Sequence, residues 1–204
     1  MYLVFVFMGW LSIYSATYSD TEYEVFDLST KYGKQMIWIL LSFLIVIVIL
    51  AIDKKFYEQF SGIFYLVSIL SLVGLFIFGT NINGATSWYS FGSFGIQPSE
   101  FAKAATALAI ANYLNERNQD LRKFSNQLKA FGIIFLPAIL ITLQPDPGSA
   151  LVYGSLILVL YRFGLPLYYL LVGFLVILIF IVTLYFGFIP TLIMATVVIS
   201  LFLI

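Results

Sequence analysis

The stretch QMIWILLSFLIVIVILAI, from Gln35 to Ile52, runs for eighteen residues without a charged side chain. As an α-helix rising about 1.5 Å per residue it is about 27 Å long, close to the roughly 30 Å hydrocarbon core of a bilayer. Such a segment reads as a membrane span. Working outward from it, similar apolar stretches place spans at about 1–17, 35–52, 60–79, 98–114, 130–145, 148–163, 166–187 and 188–204. The expected fold class is all-α: a polytopic membrane protein with about eight transmembrane helices in a single transmembrane domain over residues 1–204. The first span has no basic residue before it and no clear small-residue cleavage pattern after it, so it reads as a retained helix rather than a secretory signal.

Composition agrees. Of 204 residues, 62% are hydrophobic and 10% charged, against about 25% charged in ordinary globular domains. Ten basic residues balance ten acidic ones, which removes the electrostatic case for a nucleic-acid partner and leaves the lipid bilayer as the evident surroundings. The chain has no Cys and no His. Disulfides, thiolate chemistry, Ser-His or Cys-His nucleophile systems and the common zinc ligand sets are thereby excluded. Any chemistry must come from carboxylates, Lys, hydroxyls or backbone.

The basic residues also orient the chain. Lys54, Lys55, Arg117, Arg122, Lys123, Lys129 and Arg162 fall in alternate loops, with Lys31 and Lys34 in the others, and this bias predicts a cytoplasmic N-terminus. The acidic segment with Asp20, Glu22, Glu24 and Asp27 then lies outside, as does the loop of residues 80–97. In that loop Trp88, Tyr89, Phe91 and Phe94 suit either interfacial anchoring or the lining of a substrate site. In the connection of residues 115–129, Leu121, Phe124 and Leu128 stand at helical spacing among charges. They predict a short helix on the membrane surface, with a solvated loop as the alternative.

Three charged side chains, Glu100, Lys103 and Asp146, stand in or between the apolar stretches, and two of them close parallel motifs: Gln97-Pro98-Ser99-Glu100 and Gln144-Pro145-Asp146. A charge at the centre of a membrane helix costs roughly 2.5 to 3.5 kcal/mol on insertion scales, so each needs a reason. Pro98 suits the first turn of a helix, and Glu100 and Lys103, three residues apart, can pair on neighbouring azimuths. Ala102, Ala104, Ala105, Ala107, Ala109 and Ala111 follow. Such small residues permit close helix packing, so the charged pair is expected to face the bundle interior. It serves either as an internal ion pair or as part of a polar cavity for an anionic substrate, with Lys103 the phosphate partner. Asp146, before Pro147-Gly148-Ser149-Ala150, serves either as an N-cap or as a second carboxylate in the cavity of Glu100.

These motifs carry a resemblance. Gly84-Ala85-x-x-Trp88, then Gln97-Pro98-Ser99-Glu100-Phe101-Ala102-Lys103, then Gln144-Pro145-Asp146-Pro147-Gly148-Ser149-Ala150 closely resemble the SEDS family, of shape, elongation, division and sporulation proteins, and most of all its rod-shape-determining branch. Gly9-Trp10-Leu11-Ser12-Ile13-Tyr14-Ser15-Ala16 and Gly33-Lys34-Gln35 fit as well, so the resemblance runs through almost the whole chain. It implies a multi-pass peptidoglycan glycosyltransferase of the bacterial inner membrane that polymerises lipid II outside the cytoplasm, beside a class B penicillin-binding protein. By the same resemblance Glu100, Lys103 and Asp146, with Gln97 and Gln144, fall on polar positions around a substrate cavity, and Gly84 and Trp88 on an outer-loop motif. Ser87 stands where the family commonly has Arg. The family usually has about ten spans and an essential Asp in a long outer loop, so the chain is expected to be a fragment of a ten-helix bundle whose catalytic Asp lies beyond Ile204.

Inversion at the anomeric carbon of a lipid-linked donor needs a base for the acceptor hydroxyl and positive charge for the departing pyrophosphate. A carboxylate serves the first, and Lys or a divalent cation the second. On this reading Lys103 stabilises phosphate, Glu100 fixes Lys103, and Asp146 shapes the cavity or contributes to a metal site. Two rivals stand beside it: a lipid II flippase or similar transporter, since proline-broken helices around charge also suit translocation, and a non-catalytic membrane scaffold for a cell-wall synthase.

Overall fold

The computed structural model describes residues 1–17, 30–82, 84–92, 94–115 and 120–186. The acidic segment of residues 20–27, Asn83, Arg117 and the span expected at 188–204 lie outside the described residues. Backbone contacts divide the chain into two compact units, Met1–Phe56 and Tyr57–Ile204.

The first unit is a helical pair, α1 (Tyr2–Thr17) and α2 (Lys31–Ala51). Thr30 caps α2, its hydroxyl accepting from the Gly33 N–H at 3.2 Å; this satisfies one of the orphan amides of a helix start. The pair is pinned at that end by aromatic groups. The Trp10 indole donates to the Tyr32 carbonyl at 3.2 Å, and Tyr14 stacks on Trp10 and meets Tyr32 edge-on. No residue of α1 is buried, and in α2 only Tyr32 and Gly33 are. Helices apolar on every side with so little buried belong in lipid, where the backbone bonds itself and the side chains need no polar partner.

The second unit holds α3 (Lys54–Phe78), strands β1 (Thr80–Ile82), β2 (Ala85–Phe91) and β3 (Phe94–Ile96), then α4 (Pro98–Asn115), α5 (Phe124–Leu143), α6 (Pro147–Leu151), α7 (Gly154–Arg162) and α8 (Tyr168–Phe186). Like α2, both α3 and α5 are long and apolar enough to cross a membrane. Their starts precede the expected spans at 60 and 130, because polar and basic first turns extend a helix past the apolar stretch. Phe124 and Leu128 accordingly belong to α5, and Leu121 is buried in the core. The surface helix expected over residues 115–129 does not form among the described residues.

Packing in this unit centres on α4 against α5. Ala102, Thr106 and Ile110 form the buried stripe of α4, and Ala130, Ile134, Ala138 and Ile141 that of α5, both at spacings that keep one helical face inward. Pro137 sits inside α5. Having no N–H, it leaves the Ile133 carbonyl, four residues back, without its helical donor; Tyr65 of α3 supplies the replacement, its hydroxyl donating to Ile133 O at 3.0 Å. At the other end from the sheet, the Tyr169 hydroxyl donates to Gln127 Oε1 at 2.6 Å, and the Gln127 amide donates to Leu121 O at 2.8 Å. Helix α7 closes on Gly164 at φ +102°, with Leu165 N–H returning to Leu160 O and Gly164 N–H to Tyr161 O. That is a Schellman ending, with Leu165 and Leu160 both buried against the core.

Two further features differ from the sequence expectation. The span expected at 148–163 is broken into α6 and α7 at Val152–Tyr153. The loop of residues 80–97 is also not irregular: it is a three-stranded antiparallel sheet in the order β1-β2-β3. Gly84, at φ +90° with its N–H on Asn81 Oδ1 at 3.1 Å, makes the first turn, and Gly92, at φ +66°, lies in the second. Glycine meets these left-handed conformations without steric cost.

Candidate functional site

The charged motifs gather at the sheet end of the second unit. Gln97 precedes α4 and its carbonyl accepts the Glu100 N–H at 3.2 Å, while Pro98 occupies the first helical position, where a missing N–H costs nothing. One turn on, Lys103 Nζ meets Glu100 Oε1 at 2.8 Å, as the spacing predicts. The two side chains differ in surroundings: Lys103 is 23% exposed, whereas Glu100, expected to face the bundle interior with it, is 56% exposed. Lys103 lines a cavity of about 160 Å³ with Ala107 and, across from α4, Val152, Tyr153, Ser155 and Leu156. The break between α6 and α7 therefore forms the wall facing the lysine. Tyr153, buried there, is a site residue the sequence reading missed; the only signal was its place just after the Asp146-Pro147-Gly148 break.

Asp146 resolves as an N-cap. Its Oδ1 accepts from Ser149 N–H at 3.1 Å and its Oδ2 from the Gln97 side-chain amide at 3.1 Å. The two Gln-Pro-acid motifs are thus joined directly, but through Gln97 and Asp146 rather than through paired carboxylates. No hydrogen bond or ion pair among the described residues links Asp146 to Glu100 or Lys103. Gln144 is buried and ties α5 to two neighbours: its side-chain amide donates to Leu72 O of α3 at 2.7 Å, and its backbone carbonyl accepts Thr86 N–H of β2 at 3.2 Å.

The outer-loop aromatics divide by position. The Tyr89 hydroxyl reaches into the unit and donates to Ser71 O at 2.8 Å, beside Gly74, whose lack of a side chain makes room for it. Trp88 pairs with Thr80, whose hydroxyl donates to its carbonyl at 3.0 Å, and its ring covers Gly95. Phe91 is exposed. Along α3 and α4 runs a separate apolar groove of about 450 Å³, walled by Phe64, Val67, Phe101, Ala104 and Leu108.

Among the described residues the acidic side chains do not assemble a seat for a divalent cation. Both Asp146 oxygens are taken by N–H donors, Glu100 is held by an ammonium, and no group of three acidic side chains assembles among the described residues. A hard cation needs several oxygen ligands at once. Positive charge at this site comes from Lys103.

Apolar helices that bury little of their surface define a multi-pass membrane protein, in whose second unit a broken helix faces a lysine and two helix starts are linked. The chain belongs to the FtsW/RodA/SpoVE family of cell cycle proteins, whose family model it matches over residues 1–201. It is 36% identical over 163 residues to the peptidoglycan glycosyltransferase RodA of Treponema pallidum, covering 78% of this chain and 36% of that protein. It is 32% identical over 117 residues to a probable peptidoglycan glycosyltransferase FtsW of Escherichia coli O6:H1, covering 57% and 28%. Its fold superposes on the rod shape determining protein RodA of Thermus thermophilus with a TM-score of 0.72 at 26% identity, covering 84% of this chain and 54% of that one. A chain from a peptidoglycan synthase complex that coordinates polymerization and crosslinking gives 0.71 at 27% identity, covering 89% and 51%. The chain spans about a third of the length of these curated relatives and about half that of the solved structures.

Proposed function

We propose that this chain is the substrate-cavity part of a peptidoglycan glycosyltransferase that polymerises lipid II in cell elongation and shape control, working in the inner membrane beside a class B penicillin-binding protein. The N-terminus is cytoplasmic and the sheet end faces outward, where the lipid-linked donor is presented. One observation carries the reading: in the first two turns of a proline-initiated helix an ammonium is paired with a carboxylate, and the ammonium lines a cavity against a helix break.

In this reading Lys103 offers charge and three donors to the pyrophosphate that leaves the donor sugar, where a low-dielectric setting strengthens the contact. Glu100 holds Lys103 in place through the 2.8 Å bond. Asp146 and Gln97 set the geometry of the two helix starts and touch no substrate. The base for the acceptor hydroxyl is not among the described residues. The broken α6–α7 pair also suits a transporter, since discontinuous helices recur at translocation sites.

The test is reconstitution, in liposomes with labelled lipid II and the cognate penicillin-binding protein, of this chain and of any longer form encoded with it. Glycan polymer on gels supports the polymerase. Lys103→Ala and Glu100→Ala should each abolish polymer while leaving membrane insertion intact. Undiminished polymer in both variants would sink the assignment, and transbilayer movement of lipid II without polymer would put the transporter in its place.

A further inference from the structure

Three buried side-chain oxygens, Ser87 Oγ, Ser99 Oγ and Gln144 Oε1, make no hydrogen bond to another protein group among the described residues. Ser87 and Ser99 are 1% and 0% exposed, and Gln144 is 1% exposed. Hydrogen bonds tie together the segments that carry them. Strand alternation puts Ser87 on the same face of β2 as Tyr89, and the Tyr89 hydroxyl ends on Ser71 O. The Gln144 amide ends on the next carbonyl of α3, Leu72 O. Thr86, adjacent to Ser87, donates its N–H to the backbone carbonyl of the same Gln144. Ser99 arrives from the third side, in the first turn of α4, two residues after Gln97, whose amide is bonded to Asp146 two residues after Gln144.

The Gln144 amide is fixed through its nitrogen, so Oε1 cannot turn to seek a partner elsewhere. Each serine hydroxyl can donate once and accept, while the amide oxygen can only accept. Buried polar atoms left unpaired are rare in folded proteins, and a buried water characteristically makes about three bonds to such groups.

We propose that an ordered water molecule is bound at this junction, donating to Gln144 Oε1 and accepting from the hydroxyls of Ser87 and Ser99. The water then makes three bonds, one given and two received, without breaking any existing bond, and its second hydrogen is left for a further acceptor. The water joins β2 to the start of α4 and the end of α5, just beneath the Gln97–Asp146 link, and so makes the sheet a fixed part of the motif junction. The site is independent of polymerase activity, and its test needs no lipid II.

The experiment is a density map of the protein in nanodiscs at a resolution that shows waters, for the chain as it is and for Ser87→Ala, Ser99→Ala and the double variant. A peak within about 2.7–3.2 Å of all three oxygens is the expected result. Direct bonds among the three side chains with no peak between them overturn the proposal, and the unsubstituted protein alone decides this if the variants do not fold. Melting adds a second readout. Each single substitution should lower Tm by a few degrees, and the double should lower it by less than the sum, because both losses fall on one water. Additive shifts would count against a shared molecule.

Discussion

Replacing Tyr65 by Phe removes a single hydroxyl from α3, and its consequence can be worked from the bond it serves. Pro137 deprives the Ile133 carbonyl of its helical donor, and Tyr65 Oη replaces it at 3.0 Å. In Tyr65→Phe the carbonyl is left bare in a setting with little water. Leaving a buried acceptor unsatisfied costs about 1–3 kcal/mol, whereas interhelical bonds in membranes average about 0.6 and reach about 1.7 kcal/mol. The membrane range is the better guide, because an unfolded helix in lipid also finds partners. The expected loss is therefore about 1 kcal/mol, roughly a fivefold shift in the folding equilibrium. Pro137→Ala restores an N–H at the position that ordinarily bonds Ile133 O. In that background Tyr65→Phe should cost no more than a few tenths of a kcal/mol. Unfolding titrations in mixed detergent micelles on the four proteins of this cycle measure the coupling directly. Equal losses with Pro137 in place and in the Pro137→Ala background would falsify the claim that the tyrosine stands in for the missing helical donor.

Three other substitutions test the site and its frame. Asp146→Ala removes the cap of α6 and the acceptor of Gln97 together; a cap alone is worth about 1 kcal/mol, so the loss should exceed that of Gln97→Ala in the same unfolding assay. Gly74→Ala places a methyl against the Tyr89 hydroxyl and should break its bond to Ser71, detected as lower Tm that Tyr89→Phe in the same chain partly restores. Lys103→Arg retains charge but replaces a compact ammonium by a longer planar fork, and polymer yield in the liposome assay should fall well below that of the unsubstituted protein although insertion is normal. Orientation is open to cysteine labelling, because the chain has no Cys of its own: with Ser90→Cys and Ser125→Cys, both at exposed positions, an impermeant reagent applied outside should label only the first.

How much of this was legible beforehand depends on the range of the interaction. The 2.8 Å Glu100–Lys103 pair could be read from three-residue spacing and Pro98 because it lies within one helix. The capping role of Asp146 was one of two open readings, and its Ser149 bond is equally local. The sheet was not foreseen: Trp88, Tyr89 and Phe91 looked like an aromatic belt, and short strands between membrane helices have no hydropathy signature of their own. Tyr153 was missed because only the break of α6 from α7 turns it toward Lys103. The surface helix expected around Phe124 failed because its apolar spacing is shared by the first turns of α5.

By itself, then, the amino-acid order determined the membrane setting, the helical class, the charged motifs and the family they resemble, since hydropathy and helical spacing act over one to two turns or along one span. Tertiary structure alone decided that Gln97 reaches Asp146 across 49 residues of sequence, that Tyr65 crosses 68 to mend α5, and that Gln144 crosses 72 to anchor on α3. The physical reason is the same in each case. A backbone group freed by proline, or a polar side chain withdrawn from water, must be satisfied by whatever donor or acceptor packing brings near, and the identity of that partner is written in no local pattern.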